Sequence, residues 1–336
     1  MKRPIKWLIF IGLIVFSCAW MGSPLINFGK FPVIKLPSET VFSIGPLTVT
    51  NTLITTVIAD IALLTFAFVA TRKIRRGSPD AEVPRGAQNI FELLIDMLYS
   101  LSKSVAGSKA MKVFPWMATI FLFVLFANWT ELFPGIDSIG LIERAHEGTG
   151  YPKQEIVPGF LYTIDQGQGK EITIPATASQ STESSAGQPE AYQVLPFFRT
   201  PTSDINTTLA LALITMFMVQ VFGVRALGGH YFYKFVNIPE LKRGGLGYMM
   251  FIVGFLELIS EVARILSFTF RLLGNIFAGG VLLLVMAYIV PFFVPIPFLG
   301  LELFVGFIQA LVFAMLALVF MNMAMQGHGD HEAEHH

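Results

Sequence analysis

A polar stripe lies inside an apolar stretch of the chain, residues 249–289, that is long enough to cross a lipid bilayer. An ionisable side chain at bilayer depth costs about 2.5–3.5 kcal/mol on insertion scales, so several together indicate a function or a specific pairing. Intervals of three, four or seven positions place these side chains near one face of a helix. We predict that this face is turned towards protein or water and away from lipid. The stripe consists of Glu257, Glu261, Arg264, Arg271 and Asn275.

Further polar residues occur where they could complete an ion path. Glu302 and Gln309 are seven positions apart in the last apolar stretch, so they share a helix face that can meet the stripe. We predict that the outer ends of two other stretches line an aqueous vestibule with Glu131, Asp137, Asp204 and Asn206. Glu257 and Glu261, near the start of the stripe, would line a second, inner vestibule.

This arrangement suits the transfer of a proton or another cation. Two acidic, hydrated half-paths separated by a fixed positive charge would carry the ion without a direct leak. Arg271 suits the barrier because an arginine has a pKa above about 12 and stays charged. The residues alone leave an alternative open: buried arginine–glutamate pairs also tie helices together, and Gly274, Gly279 and Gly280 also permit close packing without any transport.

Composition restricts the class of protein that can position these residues. The chain has 336 residues, of which 54% are hydrophobic and only 14% charged, so it is predicted to be a polytopic, all-α membrane protein. The zero net charge gives no indication of a nucleic-acid partner, and the single cysteine, Cys18, excludes a disulfide framework within the chain. The sequence has no phosphate-binding loop of the G-x-x-x-x-G-K-S/T kind, so ATP chemistry is not expected in this chain.

The apolar stretches predict about five transmembrane helices, at 51–71, 112–133, 205–227, 249–289 and 301–325. The last two are joined by a short turn and should form an antiparallel hairpin. Apolar residues at helical spacing from Gln88 predict an amphipathic helix at the cytoplasmic interface. The basic run Arg72–Arg76 places the end of the first helix on the cytoplasmic side, and the C-terminus follows on that side.

Four segments flank or interrupt the membrane domain, which is predicted over residues 51–325. Residues 1–22 are either a signal peptide or an extra N-terminal span, and residues 23–50 are predicted to be external. A polar external insert occupies 138–200, with a strand-like run at 170–175 and a flexible tract at 176–189. The His-rich tail, 326–336, is predicted to be cytoplasmic and either solvated or metal-binding.

A resemblance sharpens these predictions. Residues 267–280, SFTFRLLGNIFAGG, are similar to the signature S-x-x-x-R-L-x-G-N-x-x-A-G of subunit a of F-type ATP synthase. Other motifs of that family resemble stretches that follow in the same order, at 45–52, 84–92, 126–135, 201–213 and 308–316. The resemblance covers about residues 45–325, apart from the insert.

By this resemblance the chain is a proton-translocating stator subunit of the membrane sector and no enzyme on its own. Arg271 is implied to be the essential charge that faces the rotor ring of c subunits, flanked by Asn275 and Gln309. Relatives often carry a Glu or His where this chain has Gly280, so Glu302 is implied to act alone there. The resemblance implies an outer path with Glu302, Glu131, Asp204 and Asn206, an inner path with Glu257 and Glu261, and helix packing at Ser267, Gly274, Gly279 and Gly280.

The implied partners are the c ring, b-type peripheral stalk subunits, the remaining ATP synthase subunits and the lipid bilayer. No cofactor, metal or nucleic acid is expected, and a bacterial inner membrane is the expected location. Sodium as the coupling ion stays open. Two rival classes also stay open: a secondary transporter, which should show internal repeats that we do not find, and a scaffold, in which losing Arg271 would leave proton flux intact.

Overall fold

The computed structural model describes residues 38–44, 47–76, 86–133, 139–144, 148–157, 161–164, 172–174, 192–229, 231, 245–289 and 295–326. Several sequence predictions lie outside the described residues. They concern residues 1–22, Asp137, the tract 176–189 and the histidines of the C-terminal tail.

Six α-helices make up most of the described part of the chain. They are α1 (Asn51–Arg75), α2 (Ala87–Ala106), α3 (Ala110–Trp129), α4 (Ile205–Leu227), α5 (Gly245–Ile289) and α6 (Pro295–Ala324). Five helical stretches, counting α2 and α3 as one, are long and apolar enough to cross a membrane. The predicted all-α, polytopic membrane fold is therefore confirmed.

The helix bounds differ from the sequence prediction mainly at α6. This helix begins at Pro295, six positions before the predicted start at residue 301. Proline is compatible with a first helical turn, because the N–H that it lacks would have no intrahelical partner there. At 45 residues, α5 is about 68 Å long, which is well beyond the ~30 Å hydrocarbon core, so the helix must tilt or extend past it.

The helix predicted from Gln88 exists as α2, with Ile90 and Leu93 exposed and Leu98 fully buried. Its placement at a membrane surface stays a prediction. The ring of Tyr99 meets Phe114 of α3 edge-on, with ring centroids 5.3 Å apart. Two exposed apolar residues on one side and a packed aromatic on the other are typical of an interfacial helix.

Short antiparallel strand pairs accompany the helices, and the sequence predicted little of them. β1 (Thr40–Ile44) pairs with β2 (Leu47–Thr50) just before α1. In the insert, β3 (Gly140–Arg144) pairs with β8 (Tyr192–Pro196). The other pairs there are β4 (Gly148–Gly150) with β7 (Ile172–Ile174), and β5 (Lys153–Val157) with β6 (Leu161–Ile164). The run noted at 170–175 therefore contains a strand.

The chain divides into two compact units. The first combines residues up to 55 with 131–199 and 277–304, and it holds the strand pairs. The second combines 56–130, 200–276 and 305–336. Its core is apolar and includes Phe313, a fully buried ring that packs edge-on against Phe268 with centroids 4.6 Å apart. Phe268 packs on Phe313, whereas Arg264, one turn earlier on α5, stacks on Phe320, two turns later on α6, so the two helices run antiparallel in this unit.

Candidate functional site

Two carboxylates lie against a pair of glycines in the first unit. Glu302 of α6 is 6% exposed, and a Cβ on Gly279 of α5 would collide with its carboxylate. A Cβ on Gly280 would lie 2.7 Å from Oε1 of Glu131. The sequence assigned these glycines to helix packing. The structure shows that carboxylate groups, rather than a helix backbone, occupy the space beside them.

The chemistry of the Glu302 carboxylate follows from its burial. Its Oε1 atom is buried and accepts no hydrogen bond from any of them. A buried carboxylate oxygen without a donor is costly unless a proton or a cation binds to it. Glu302 therefore has the chemistry of a protonation site, and Glu131, in a short 3₁₀ turn after α3, lies beside Gly280, the next residue of α5.

A hydrogen-bonded group joins three elements in the second unit. Asn128 of α3 donates from Nδ2 to the carbonyl of Gly306 on α6, at 3.3 Å. Thr202, in a short 3₁₀ turn, donates from its hydroxyl to Oδ1 of Asn128, at 3.0 Å. Both side chains are buried, so these bonds satisfy groups that water cannot reach. Thr202 was not singled out from the sequence, since a lone threonine before a helix carries no spacing signal.

Asp204 caps the start of a helix, in addition to its predicted place in the outer path. It is the N-cap of α4, and its Oδ1 accepts a hydrogen bond from the backbone N–H of Asn206 at 2.9 Å. An aspartate just before an apolar helical run is a recognisable capping signal in a sequence. Asn206 itself is exposed, and the part of either residue in an ion path stays a prediction.

This cap allows a direct test of the structural role of Asp204. Changing Asp204→Ala should lower the stability of the protein by about 1 kcal/mol, because one N–H of the first helical turn loses its acceptor. Asp204→Asn should cost far less, since an asparagine oxygen also caps well. Thermal unfolding of the purified protein in lipid nanodiscs would measure both variants. Equal losses for the alanine and asparagine variants would contradict the capping role.

Arg271 lies in the second unit at the edge between a buried and an open face of α5. The buried face is formed by Phe268, Leu272 and Ile276. The open face carries Ser267 and Gly274, both exposed, with no atom within 4 Å of where a Cβ on Gly274 would lie. The helix-packing role predicted for these two small residues therefore stays a prediction.

Arg271 and the two side chains expected to flank it, Asn275 and Gln309, have hydrogen-bond donors without acceptors among the described residues. Arg271 is partly exposed, and its guanidinium makes no hydrogen bond or salt bridge within the described part of the chain. The amide nitrogens of Asn275 and Gln309 are buried and also have no hydrogen-bond partner among the described residues. Three donors without internal acceptors can bind an acidic group brought from outside the chain.

The inner carboxylates are paired. Nη1 of Arg264 lies 2.7 Å from Oε1 of Glu261, and Nη2 lies 3.5 Å from Oε1 of Glu257. The guanidinium also stacks over the ring of Phe320 of α6, 4.8 Å from its centroid. The spacing of the stripe predicted that these residues share a helix face, and the salt bridges add that their side chains meet. This contact gives Arg264 a defined role, whereas the sequence left that residue unassigned.

Tyr231 is a buried residue that the sequence analysis missed. It lies beyond the end of α4, and burial raises the pKa of its phenol to about 12, with Glu261 adding to the increase. A single tyrosine in a loop has no periodic pattern that could have pointed to it.

Among the residues that the structure describes, no group of three His, Cys, Asp or Glu side chains could hold a metal ion.

Comparison with known proteins agrees with the motif at 267–280. The family model described as ATP synthase A chain matches residues 52–322. ATP synthase subunit a of Gloeobacter violaceus is 31% identical over 316 residues, which cover 93% of this chain and all of the relative. ATP synthase subunit a of Moorella thermoacetica is 26% identical over 290 residues, covering 86% of this chain and 96% of the relative. The chain therefore belongs to the ATP synthase A chain family, that of subunit a of F-type ATP synthase.

Proposed function

We propose that this chain is the stator subunit that carries protons through the membrane sector of an ATP synthase. It would offer two half-paths to and from the carboxylates of a rotor ring of c subunits. The observation that carries the proposal is the buried Glu302 carboxylate, which has an oxygen without a donor in the described residues and lies beside Gly279. An oxygen that accepts no hydrogen bond is available to bind a proton.

The outer half-path would lead past Glu131, Asp204 and Glu302 to a ring carboxylate. Arg271, eight positions before Gly279 on α5, would attract that carboxylate as it loses its proton and would block a direct leak. A permanent guanidinium charge suits this role because no accessible pH neutralises it. Asn275 and Gln309 would flank the arginine, and their buried, uncommitted amide nitrogens support an acceptor supplied by the ring.

The inner half-path would lead past Glu261 and Glu257, ten and fourteen positions before Arg271. A proton that moves down a potential of 100 mV releases about 2.3 kcal/mol, so several must pass for each ATP made. ATP chemistry would lie in partner subunits. The b-type stalk subunits would hold the chain against the rotating ring. The chain would lie in a bacterial inner membrane, with its C-terminus in the cytoplasm. The basic run Arg72–Arg76 supports this orientation.

The test of this proposal is Glu302→Gln, which keeps the shape of the side chain but cannot carry a proton. ATP-driven acidification of inverted vesicles should fall about tenfold or more, and so should gradient-driven ATP synthesis, with unchanged amounts of assembled complex. Glu143→Gln is the matched control, because Glu143 is an exposed carboxylate of strand β3. Wild-type rates with Glu302→Gln in an assembled complex would remove Glu302 from the proton path.

A further inference from the structure

From Thr56 onwards α1 belongs to the second unit, and it packs on that unit through one side only. The ring of Phe66 contacts Phe91 of α2 and Phe126 of α3, with ring centroids 6.0 and 5.6 Å apart. Of the five helical stretches that can cross a membrane, α1 is the least covered: 17% of its most apolar window is buried, against 28–56% in the others. The side opposite Phe66 is open, and its apolar residues expose 50–68% of their surface: Val57, Ile61, Leu64 and Phe68.

Asp60 interrupts this apolar helix at depth. It follows Asn51 by nine positions and precedes Arg72 by twelve, so it lies about 14 and 18 Å along the helix axis from those residues. A hydrocarbon core of ~30 Å therefore holds Asp60 near its middle. Lysine and arginine can extend to the membrane surface from such a depth, but an aspartate has only one CH₂ group and cannot. Its carboxylate therefore needs a partner within the membrane.

The described part of the chain does not supply that partner. Asp60 is partly exposed, and its carboxylate makes no hydrogen bond or salt bridge with any described residue. Within α5, Arg264 is already held by Glu257 and Glu261. The apolar run at 7–22 contains no Lys, Arg or His that could serve instead. The cation that Asp60 needs is therefore expected from another chain.

Asp60 lies at the border between the packed and the open side of α1. Ala59 is buried, and Leu63 packs against the core of the unit. Val57, three positions before Asp60, and Leu64, four positions after it, are its neighbours along the helix surface, and both are exposed. A second helix that packed on Val57 and Leu64 would thus cover the carboxylate as well. Charge at such a contact decides which helix fits.

We propose that the open side of α1 binds a membrane-spanning helix of another ATP synthase subunit, which pairs a lysine or arginine with Asp60. Membership of the family implies that the chain has partner subunits in a complex. Lipid tails offer no cation, and a second copy of α1 would bring two carboxylates together, so charge complementarity favours a basic helix over both. The inference goes beyond the proton path and requires none of its residues.

The subunit composition of the complete complex gives the first test. The complex is purified through a tag on this chain, and each partner subunit is quantified by mass spectrometry per copy of the chain. Asp60→Leu should lower the retained amount of one membrane-spanning subunit about tenfold, since a buried cation loses its counter-charge. Asp60→Asn keeps an acceptor oxygen and should stay within about threefold of the wild type. Glu143→Leu is the control, because Glu143 is an exposed carboxylate on strand β3, and it should change nothing.

Photo-crosslinking in the assembled complex identifies the bound helix. A benzoylphenylalanine probe at Leu64, on the open side, should form an adduct with another subunit next to a lysine or arginine in a membrane-spanning helix. The same probe at Phe66, on the packed side, should react only within this chain. Asp60→Lys should displace the captured subunit. Replacing its basic residue with aspartate should then restore binding, because the two charges are exchanged across the contact.

Four results would overturn the inference. They are Leu64 adducts confined to lipid, to residues 1–22 or to a second copy of the chain; a captured helix without a basic residue near the contact; an unchanged composition with Asp60→Leu; and slower pumping by a complete Asp60→Asn complex, which would place Asp60 in an ion path. If Asp60→Leu does not accumulate, the Leu64 probe and the charge exchange decide by the same criteria. Pumping that survives Arg271→Ala would reject the proposed function and leave the binding of this helix untouched.

Discussion

Arg271→Ala is expected to abolish ATP-driven proton pumping while leaving the complex assembled. The reason is the unusual isolation of this arginine: within the described residues its guanidinium takes part in no salt bridge or hydrogen bond. Its removal deprives no carboxylate among the described residues of a counter-charge, so the usual penalty for breaking an ion pair is not expected. The loss should therefore fall on function, and the fold should be unaffected.

Inverted vesicles give the measurement. ATP-driven acidification should be absent with Arg271→Ala, and passive proton leakage should rise because the fixed barrier charge is gone. Arg225→Ala is the matched control, since Arg225 is an exposed arginine in the last turn of α4. Immunoblots for the partner subunits establish that the complex is present. Coupled pumping by an assembled Arg271→Ala complex would reject the proposed function and favour a scaffold.

Arg264→Ala should have the opposite result, a loss of stability of about 3–5 kcal/mol, because it removes the counter-charge of two carboxylates. Glu261 is the more sensitive partner, since its side chain is only 9% exposed and its distance to Arg264 is 2.7 Å. The stacking on Phe320 is lost as well. Thermal unfolding of the purified complex in lipid nanodiscs should show a lower midpoint, and less complex should accumulate in cells.

A rescue experiment identifies the cause of that loss. The triple variant Arg264→Leu, Glu257→Gln, Glu261→Gln has no unpaired buried charge, so most of the stability should return. Pumping should stay low in the triple variant, because the inner carboxylates are also gone. If Arg264→Ala instead stops pumping at wild-type stability, then Arg264 belongs to the ion path, and the pairing seen with Glu257 and Glu261 is not its main role.

Local sequence patterns predicted much of the fold. Long apolar runs predicted the helices that can span a membrane. In lipid the backbone N–H and C=O groups must form their hydrogen bonds within the helix, so such runs fold as helices. The spacing of Glu257, Glu261 and Arg264 predicted that the three residues share one helix face, and the salt bridges show that their side chains meet there. Periodicity succeeds here because all three side chains belong to the same helix.

Contacts between distant segments could not be predicted in this way. Nothing near Gly279 in the sequence shows that the carboxylate of Glu302 takes the place of a side chain there. Tyr231 lies beyond the end of α4, and no repeat in the sequence connects it with its hydrogen-bond partner, Gln220. The strand pairs of the insert likewise depend on register between segments tens of residues apart, as with Gly140 and Pro196. Such pairings follow from three-dimensional packing, which hydropathy and spacing do not encode.

The pairing of β3 with β8 has a consequence for how this protein can vary. Five consecutive residue pairs, from Gly140–Pro196 to Arg144–Tyr192, hold the two ends of the insert together. The entropy of closing a loop grows only slowly with its length, so residues can be gained or lost between the clamped ends at little cost. We therefore expect the segment between these strands to tolerate changes in length, so an epitope or a fluorescent reporter could be inserted there while both ends stay fixed.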